Sequence, residues 1–330
     1  MTATSATTAL LIGVDLGKTG CRAVAAPRLW RQHADDSPAP ATVFRHNAGP
    51  GAAGLAEPDG VAAAAAAVGA VLDGLLGTDR AAGLVVGSAG GEADPRAAHE
   101  LGARLAERFG CAAAVTTDAI TSHAGALSGR PGVVLAAGTG AVAVGVRPDG
   151  RVTVVDGWGQ WLGDDGSGTW IGRASLQAVL RARDGRGRAT ALTVAAQQRY
   201  GDPARLPYVL PLTPGTVRDT AAFVPDVVAC AAAGDAVAAD VLARAGALLA
   251  ETTAAAVPVE HRADRVEVAV VGGLADAGEA VLGPWRARLP AEFAPVAAEG
   301  TSADGALLLA ERTDLPHETR VRRHTAEGTP

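Results

Sequence analysis

Twice in this chain an apolar strand runs into a short turn built on Gly and Thr and leaves it as a second apolar strand. The first copy is Ala9-Leu10-Leu11-Ile12-Gly13-Val14-Asp15, the turn Leu16-Gly17-Lys18-Thr19-Gly20, and a strand over residues 21–26. The second, about 120 residues on, is Val133-Val134-Leu135-Ala136, the turn Ala137-Gly138-Thr139-Gly140, and Ala141-Val142-Ala143-Val144-Gly145. Short continuous apolar runs bounded by turn residues read as strands buried on both faces. Their recurrence predicts a duplicated α/β architecture with one such hairpin in each half. At 330 residues the chain suits two domains of ordinary size.

The segments between alternate in the way an α/β fold requires. A polar stretch over 31–40 leads to a strand over 42–46 and the glycine-rich loop Asn47-Ala48-Gly49-Pro50-Gly51. An alanine-rich helix from 58 or 59 to 76 is followed by a strand over 84–87 that ends in Ser88-Ala89-Gly90-Gly91. Then come a helix over 95–109, a strand over 112–116, and Asp118 just beyond its end. In the second half, a helix over 173–183, a Pro- and Thr-rich connector over 206–225 and a helix over 227–258 precede a strand over 265–271. That strand ends in Gly272-Gly273. The last helix covers 302–312, and the polar tail from Thr313 is expected to be disordered.

Residues 157–172 hold six glycines, three tryptophans and the adjacent pair Asp164-Asp165 in one loop. Glycine lets backbone approach a ligand, tryptophan offers a flat apolar face, and carboxylates accept from hydroxyl or ammonium groups. The combination is suited to a polar ring such as a sugar. Trp158 is the tryptophan expected to face it, whereas Trp161 and Trp170 are expected in the core. One of the two aspartates is expected to cap the helix that follows.

Composition narrows the function classes. The formal charge is −6 and no basic block occurs, which argues against nucleic acid and anionic membrane as partners. Cys21, Cys111 and Cys230 are widely spaced, with no CxxC, which fits a reducing cytoplasm. The first eight residues lack the basic start and apolar run of a signal peptide. Apolar stretches such as 61–72 are broken by glycine and read as soluble helices. The expected location is cytoplasmic. The seven histidines show no ligand spacing.

Gly13 to Thr19 invites comparison with a phosphate-binding P-loop, but that motif needs one more residue between its first glycine and Gly-Lys-Thr, and it opens a helix. Here the chain returns into a strand. A tight hairpin can still aim backbone N–H groups of Gly17 and Lys18 and the Thr19 hydroxyl at terminal phosphates. Asp15, at the strand tip, can hold hydrated Mg2+. Gly138-Thr139-Gly140 would grip the same nucleotide, and Gly272-Gly273 would line its adenosine.

Taken in order, these pieces resemble the N-acetylglucosamine kinase and BadF-type family, on the sugar-kinase branch of the actin-like ATPase superfamily. The matching elements are Asp15-Leu16-Gly17-Lys18-Thr19, Ser88-Ala89-Gly90-Gly91, Thr117-Asp118, Gly138-Thr139-Gly140, the loop over 157–172 and Val271-Gly272-Gly273. The likeness extends over roughly residues 9–312. Lys18 stands where many relatives have glycine, Asp165 where glutamate is usual, and Gln160-Trp161 also depart from the pattern.

The resemblance implies a two-lobed α/β fold, ribonuclease H-like, with a duplicated mixed-sheet core and a central cleft. One lobe would comprise residues 9–117 completed by the helix over 302–312, and the other residues 118–301, with 313–330 as tail. It implies ATP and Mg2+ as cofactors, an amino sugar as substrate, and closure of the lobes when sugar binds. Asp118 would be the catalytic base, although Thr117-Asp118 also reads as a helix cap. The substrate would meet Asn47, Ser88, Gly90, Thr139, Trp158, Gly159, Asp164 and Asp165, with Thr139 touching phosphate as well. The acid pair, beside the altered Gln160-Trp161, favours glucosamine: a carboxylate on its ammonium would be worth about 1.5–3 kcal/mol. N-acetylglucosamine is the alternative. An ATP-driven dehydratase activator would need cysteines set for an iron–sulfur cluster. A sugar-binding regulator would need a DNA-binding module. The sequence shows neither, and it is compatible with a homodimer.

Overall fold

The computed structural model describes residues 8–28, 44–52, 54–91, 94–210, 215–258 and 265–325. The described parts of Met1–Pro131, Pro148–Val152 and Ala298–Pro330 form one compact unit, and those of Gly132–Arg147 and Thr153–Ala297 a second.

Unit 1 begins with the expected hairpin, β1 (Ala9–Leu16) antiparallel to β2 (Cys21–Pro27). β3 (Arg45–Gly49) extends it, so the strand expected over 42–46 runs later and takes in Asn47. Residues 31–40 and 42–43 lie outside the described ones. α1 (Gly60–Leu76) carries the chain to β4 (Arg80–Ser88), parallel to β1. Its alanines favour helix, and Val68, Leu72 and Leu75 give it a buried face. α2 (Pro95–Phe109) is fixed at both ends: the Asp94 carboxylate accepts from the N–H groups of Arg96 and Ala97, and Gly110 closes it at φ 60. β5 (Ala112–Thr117) then pairs parallel with β4 and passes directly into α3 (Asp118–Ala126).

Unit 2 repeats the plan. β6 (Gly132–Ala137) and β7 (Ala141–Val146) form the second hairpin, and β8 (Val152–Asp156) extends it. Helices α4 (Gly168–Arg183), α5 (Leu192–Tyr200), α6 (Leu206–Val209), α7 (Thr216–Ala221), α8 (Val224–Ala232) and α9 (Ala236–Ala255) follow. The helix expected over 227–258 is broken at Gly234, which has φ 92. β9 (Val266–Val271), α10 (Glu279–Arg288) and β10 (Phe293–Val296) complete the sheet, with β9 parallel to both β6 and β10. Leu135, Ile171, Phe223, Leu249 and Trp285 fill this core.

The chain returns to unit 1 as α11 (Ser302–Glu311) and β11 (Arg322–His324). The two sheets read β11-β5-β4-β1-β2-β3 and β10-β9-β6-β7-β8, so five strands in one order occur twice. The expected duplication is present.

Two boundaries differ from expectation. The division after residue 117 falls after 131 instead, because α3 packs on α11, where Gly125 and Gly305 let the two backbones approach. The tail expected to be disordered contains a 3₁₀ turn, Pro316–Arg320, and β11, which pairs antiparallel with β5 from Arg322↔Val115 to His324↔Ala113. Its strand is too short and polar to announce itself, but the edge of β5 accepts it. Residues 326–330 lie outside the described ones. No helix among the described residues is long and apolar enough to cross a membrane.

Candidate active site

In unit 1 the parallel strands β1, β4 and β5 end level: Leu16 pairs with Ser88, and Ser88 with Thr117. Asp15, Ser88 and Asp118 therefore share the carboxyl edge of one sheet, where open α/β sheets bind ligands. Thr117 caps α3, its hydroxyl accepting from Ile120 N–H at 3.3 Å. Asp118 is thus the first helical residue and not the cap. Its carboxylate accepts from Ala119 N–H at 2.9 Å. Burial, reinforced by the nearby charge of Asp15, pushes its pKa up to about 6.

Asp15 is also raised, by burial, with opposing contributions from a Ser302 hydrogen bond and from Arg22, whose guanidinium lies 3.7 Å away. The Ser302 hydroxyl is 2.7 Å from that of Thr121, one turn along α3 from Asp118. Gly87 leaves room for the Thr121 side chain beneath the strand tips. Sequence reasoning missed Ser302. Its signal was the capping box at Thr301 and Asp304, which fixes the start of α11 beside β1.

The first turn is closed by Gly17 N–H on the Gly20 carbonyl (2.9 Å), and Ala52 N–H reaches Gly17 O at 3.2 Å. Lys18 directs its ammonium to Glu57 (3.0 Å), both exposed, and Thr19 is exposed. Asn47 donates from Nδ2 to the Val71 carbonyl (2.8 Å) and accepts Ala48 N–H (2.9 Å). The Nδ2 bond thus holds β3 against α1, while the Oδ1 bond is local to β3. Gly90, at φ 76, lies beyond Ser88, and Ala89 N–H ties that loop to Leu16 O.

No three His, Cys, Asp or Glu side chains cluster as a metal site among the described residues. A strand-tip carboxylate with a second one close by fits a magnesium ion that keeps most of its waters, takes phosphate oxygens and offsets the cost of holding the two charges together. Asp15 would hold it.

In unit 2 the turn Gly138-Thr139-Gly140 is closed by Gly138 N–H on Gly140 O, 2.9 Å. The start of α4 braces it: Gly168 N–H reaches Gly138 O at 2.8 Å, and the Thr169 hydroxyl donates to Thr139 O at 2.7 Å. Asp164 lies against the same turn, accepting Ala141 N–H at 3.4 Å. Its pKa is raised, chiefly by burial and further by Asp156 and Asp165, against hydrogen bonds from Ala141 and Gly159. Asp165 is exposed. Neither aspartate caps α4; Ser167 does, accepting Trp170 N–H at 3.2 Å. Trp158 is 76% exposed and follows Gly157 and precedes Gly159, at φ 78 and 85. Trp161, expected in the core, is 82% exposed, because the loop is held by backbone bonds and not by its aromatic rings. Trp170 is partly buried, with the Arg244 guanidinium 5.3 Å from its ring centre.

Beside the hairpin, a cavity of about 590 Å³ is lined by Gly138, Thr139 and Gly273 on one side and by Val224, Pro225 and Val228 on another, with Arg218 and Asp276 at its wall. Glycine backbone beside an apolar slot suits a ligand that pairs phosphate with a flat base. Gly272, at φ 93, lets the β9 end turn over Ala137, where Leu274 N–H binds Ala137 O at 2.9 Å. The α7–α8 walls were not legible in sequence, since the connector over 206–225 showed only its prolines and threonines.

Two sheets of one strand order, each with its glycine turn, define the actin-like ATPase fold shared with sugar kinases. Within it, the chain belongs to the BadF/BadG/BcrA/BcrD ATPase family, whose model matches residues 12–310. A protein from Chromobacterium violaceum, provisionally named an N-acetylglucosamine kinase, is 30% identical with a TM-score of 0.72, over 92% of this chain and 99% of that one. Another of that name from Porphyromonas gingivalis has the same fold at 15% identity, TM-score 0.66, over 92% and 99%. An N-acetylmuramic acid/N-acetylglucosamine kinase from Clostridium acetobutylicum is 38% identical over 78 residues, 24% of this chain and 26% of that protein. The aligned stretch thus spans about a quarter of this curated relative.

Proposed function

We propose that this protein is an ATP-dependent amino-sugar kinase acting on N-acetylglucosamine at its 6-hydroxyl. The observation that carries the reading is Asp118: a partly buried carboxylate at a strand end, beside Asp15, with its pKa pushed to about 6. Such a group is ionised at neutral pH yet basic enough to take a hydroxyl proton, and a positioned base contributes about 10²–10⁴ in rate. In the proposed reaction the 6-oxygen attacks the γ-phosphorus as its proton passes to Asp118, and the bond to the β-phosphate oxygen breaks to release ADP. The turn over 138–140 and the slot beside it would hold ATP, with Arg218 and Asp276 as polar contacts. Magnesium at Asp15 would neutralise phosphate charge. Asp164 would accept from sugar hydroxyls, with Trp158 offering a face to the ring.

The sugar assignment moves from glucosamine to N-acetylglucosamine for two reasons. The names of the relatives carry the acetylated sugar. The acid pair that favoured an ammonium is also divided, with Asp164 turned to the hairpin and Asp165 exposed. Buried Cys21 and Cys111 give no support to the activator alternative.

ATP-to-ADP turnover with N-acetylglucosamine, glucosamine, N-acetylmuramic acid and glucose in parallel tests the reading. N-acetylglucosamine is expected to give the highest kcat/KM. Glucosamine in first place would reverse the choice of sugar, and no turnover with any of the four would overturn the proposal.

A further inference from the structure

One carboxylate in the sugar loop has no role in the chemistry above. Asp156 ends β8 in the left-handed region, at φ 65, where a non-glycine residue is uncommon. Its two oxygens take consecutive backbone N–H groups across the loop: Oδ1 accepts from Asp164 at 2.8 Å and Oδ2 from Asp165 at 2.9 Å. A Cβ on Gly163 would overlap Asp156 Oδ1, so the glycine just before Asp164 is needed for this contact. Asp164 itself sits at φ 56, a second strained position only eight residues away. Ser167 N–H then returns to Asp164 O at 3.1 Å and leads into α4.

We infer that Asp156 is the positioning residue of the sugar site, clamping the backbone of Asp164 and Asp165 so that the Asp164 carboxylate is turned onto the β6–β7 hairpin. Asp enters the left-handed region more readily than most side chains but still uncommonly, and a residue held there persists only where its surroundings over-determine it. A charged acceptor spanning two adjacent N–H groups supplies that constraint. It also sets a negative charge close to Asp164, one of the causes of that group's raised pKa. Trp158 and Trp161 cannot replace the clamp, since both are largely exposed. This inference rests on the proposed role of Asp164 and assigns Asp156 no contact with substrate.

The test compares wild type with Asp156→Ala, which loses both bonds, and Asp156→Asn, which keeps one acceptor but turns a donor toward the other N–H. Amide hydrogen exchange over residues 157–168 reads the clamp without reference to activity. Exchange is expected to rise in Asp156→Ala and, less, in Asp156→Asn. In kinetics the KM for N-acetylglucosamine should rise about tenfold to a hundredfold in Asp156→Ala, and the KM for ATP should rise less, because Asp164 touches the hairpin but Asp156 does not line the nucleotide slot. Asp156→Asn should fall between. A melting curve for each variant separates this split from loss of fold. Unchanged exchange in both folded variants overturns the inference, as does a KM for ATP that rises as much as the KM for sugar. Faster exchange in variants of a wild type that phosphorylates no amino sugar upholds the clamp and overturns the proposed function instead.

Discussion

The β1–β2 and β6–β7 hairpins occupy the same place in two sheets of the same strand order, yet their tips carry different chemistry. At the first, charge is gathered: Asp15 ends β1, Asp118 stands two strands away on the same edge, and burial raises both pKa values. At the second, Ala137 leads into Gly138-Thr139-Gly140, and the slot beside it is walled mostly by apolar side chains and glycine backbone, with Arg218 and Asp276 among its lining. The carboxylate on that turn, Asp164, comes from a loop and not from a strand tip. In the proposed reaction a carboxylate titrating near neutrality would move the proton, and the glycine turn would hold phosphate. The two scaffolds match in strand order, and in the proposed reaction the residues at their tips would divide the labour.

The sharpest way to break that comparison is at Asp118. Asp118→Asn should lower kcat by about 10²–10⁴ with little change in the KM for ATP. The same substitution should stabilise the fold. A carboxyl pKa raised from 3.8 to about 6 means the folded state binds more protons, so stability declines as pH rises from about 4 to 6 and the full penalty applies above that. A tenfold change in proton affinity is worth about 1.4 kcal/mol, so removing the charge should add up to about 3 kcal/mol at pH 8 and nothing below about pH 4. Urea melts at the two pH values check it. A single carboxamide that silences the enzyme while strengthening the protein would separate function from stability at this tip.

At the other tip the expected loss is of backbone geometry. Gly272→Ala meets both φ 93 and Ala137 O at 2.6 Å, so it should cost about 1–3 kcal/mol and weaken ATP binding in calorimetry. Gly90→Ala in unit 1 has φ 76 but open space, and should cost only the conformational part, about 1 kcal/mol. Equal costs would show that close approach at the β9 end is not used. Lys18→Met is expected to do least: its ammonium sits on Glu57 in solvent, so the KM for ATP should stay within about threefold and the Tm should hardly move. A tenfold rise in that KM would mean Lys18 leaves Glu57 for phosphate, as its place in the first turn suggests.

The elements that carried the family resemblance were legible because local chemistry wrote them. Apolar runs closed by glycine- and threonine-bearing turns gave β1, β2, β6 and β7, and the helix read over 95–109 is α2. What failed depended on partners far along the chain. β11 exists because β5 offers an edge, and α3 joins unit 1 because Gly125 faces α11. Neither relation is visible in a local window. In the candidate site, glycines and acids were legible as types, but not their hydrogen bonds. Nothing in the sequence told that Asn47 holds β3 to α1, that Ser302 reaches Asp15, or that Asp156 clamps the loop. Trp161 was misjudged because apolar character does not say which way a loop residue points.

The pH dependence of kcat/KM for N-acetylglucosamine tests the central claim most directly. With Asp118 as base, the rate should climb tenfold per pH unit below about 6 and level off above it, and Asp118→Asn should lie far below at every pH without that inflection. A flat profile across pH 5–7, or an Asp118→Asn enzyme within about tenfold of wild type, would contradict it.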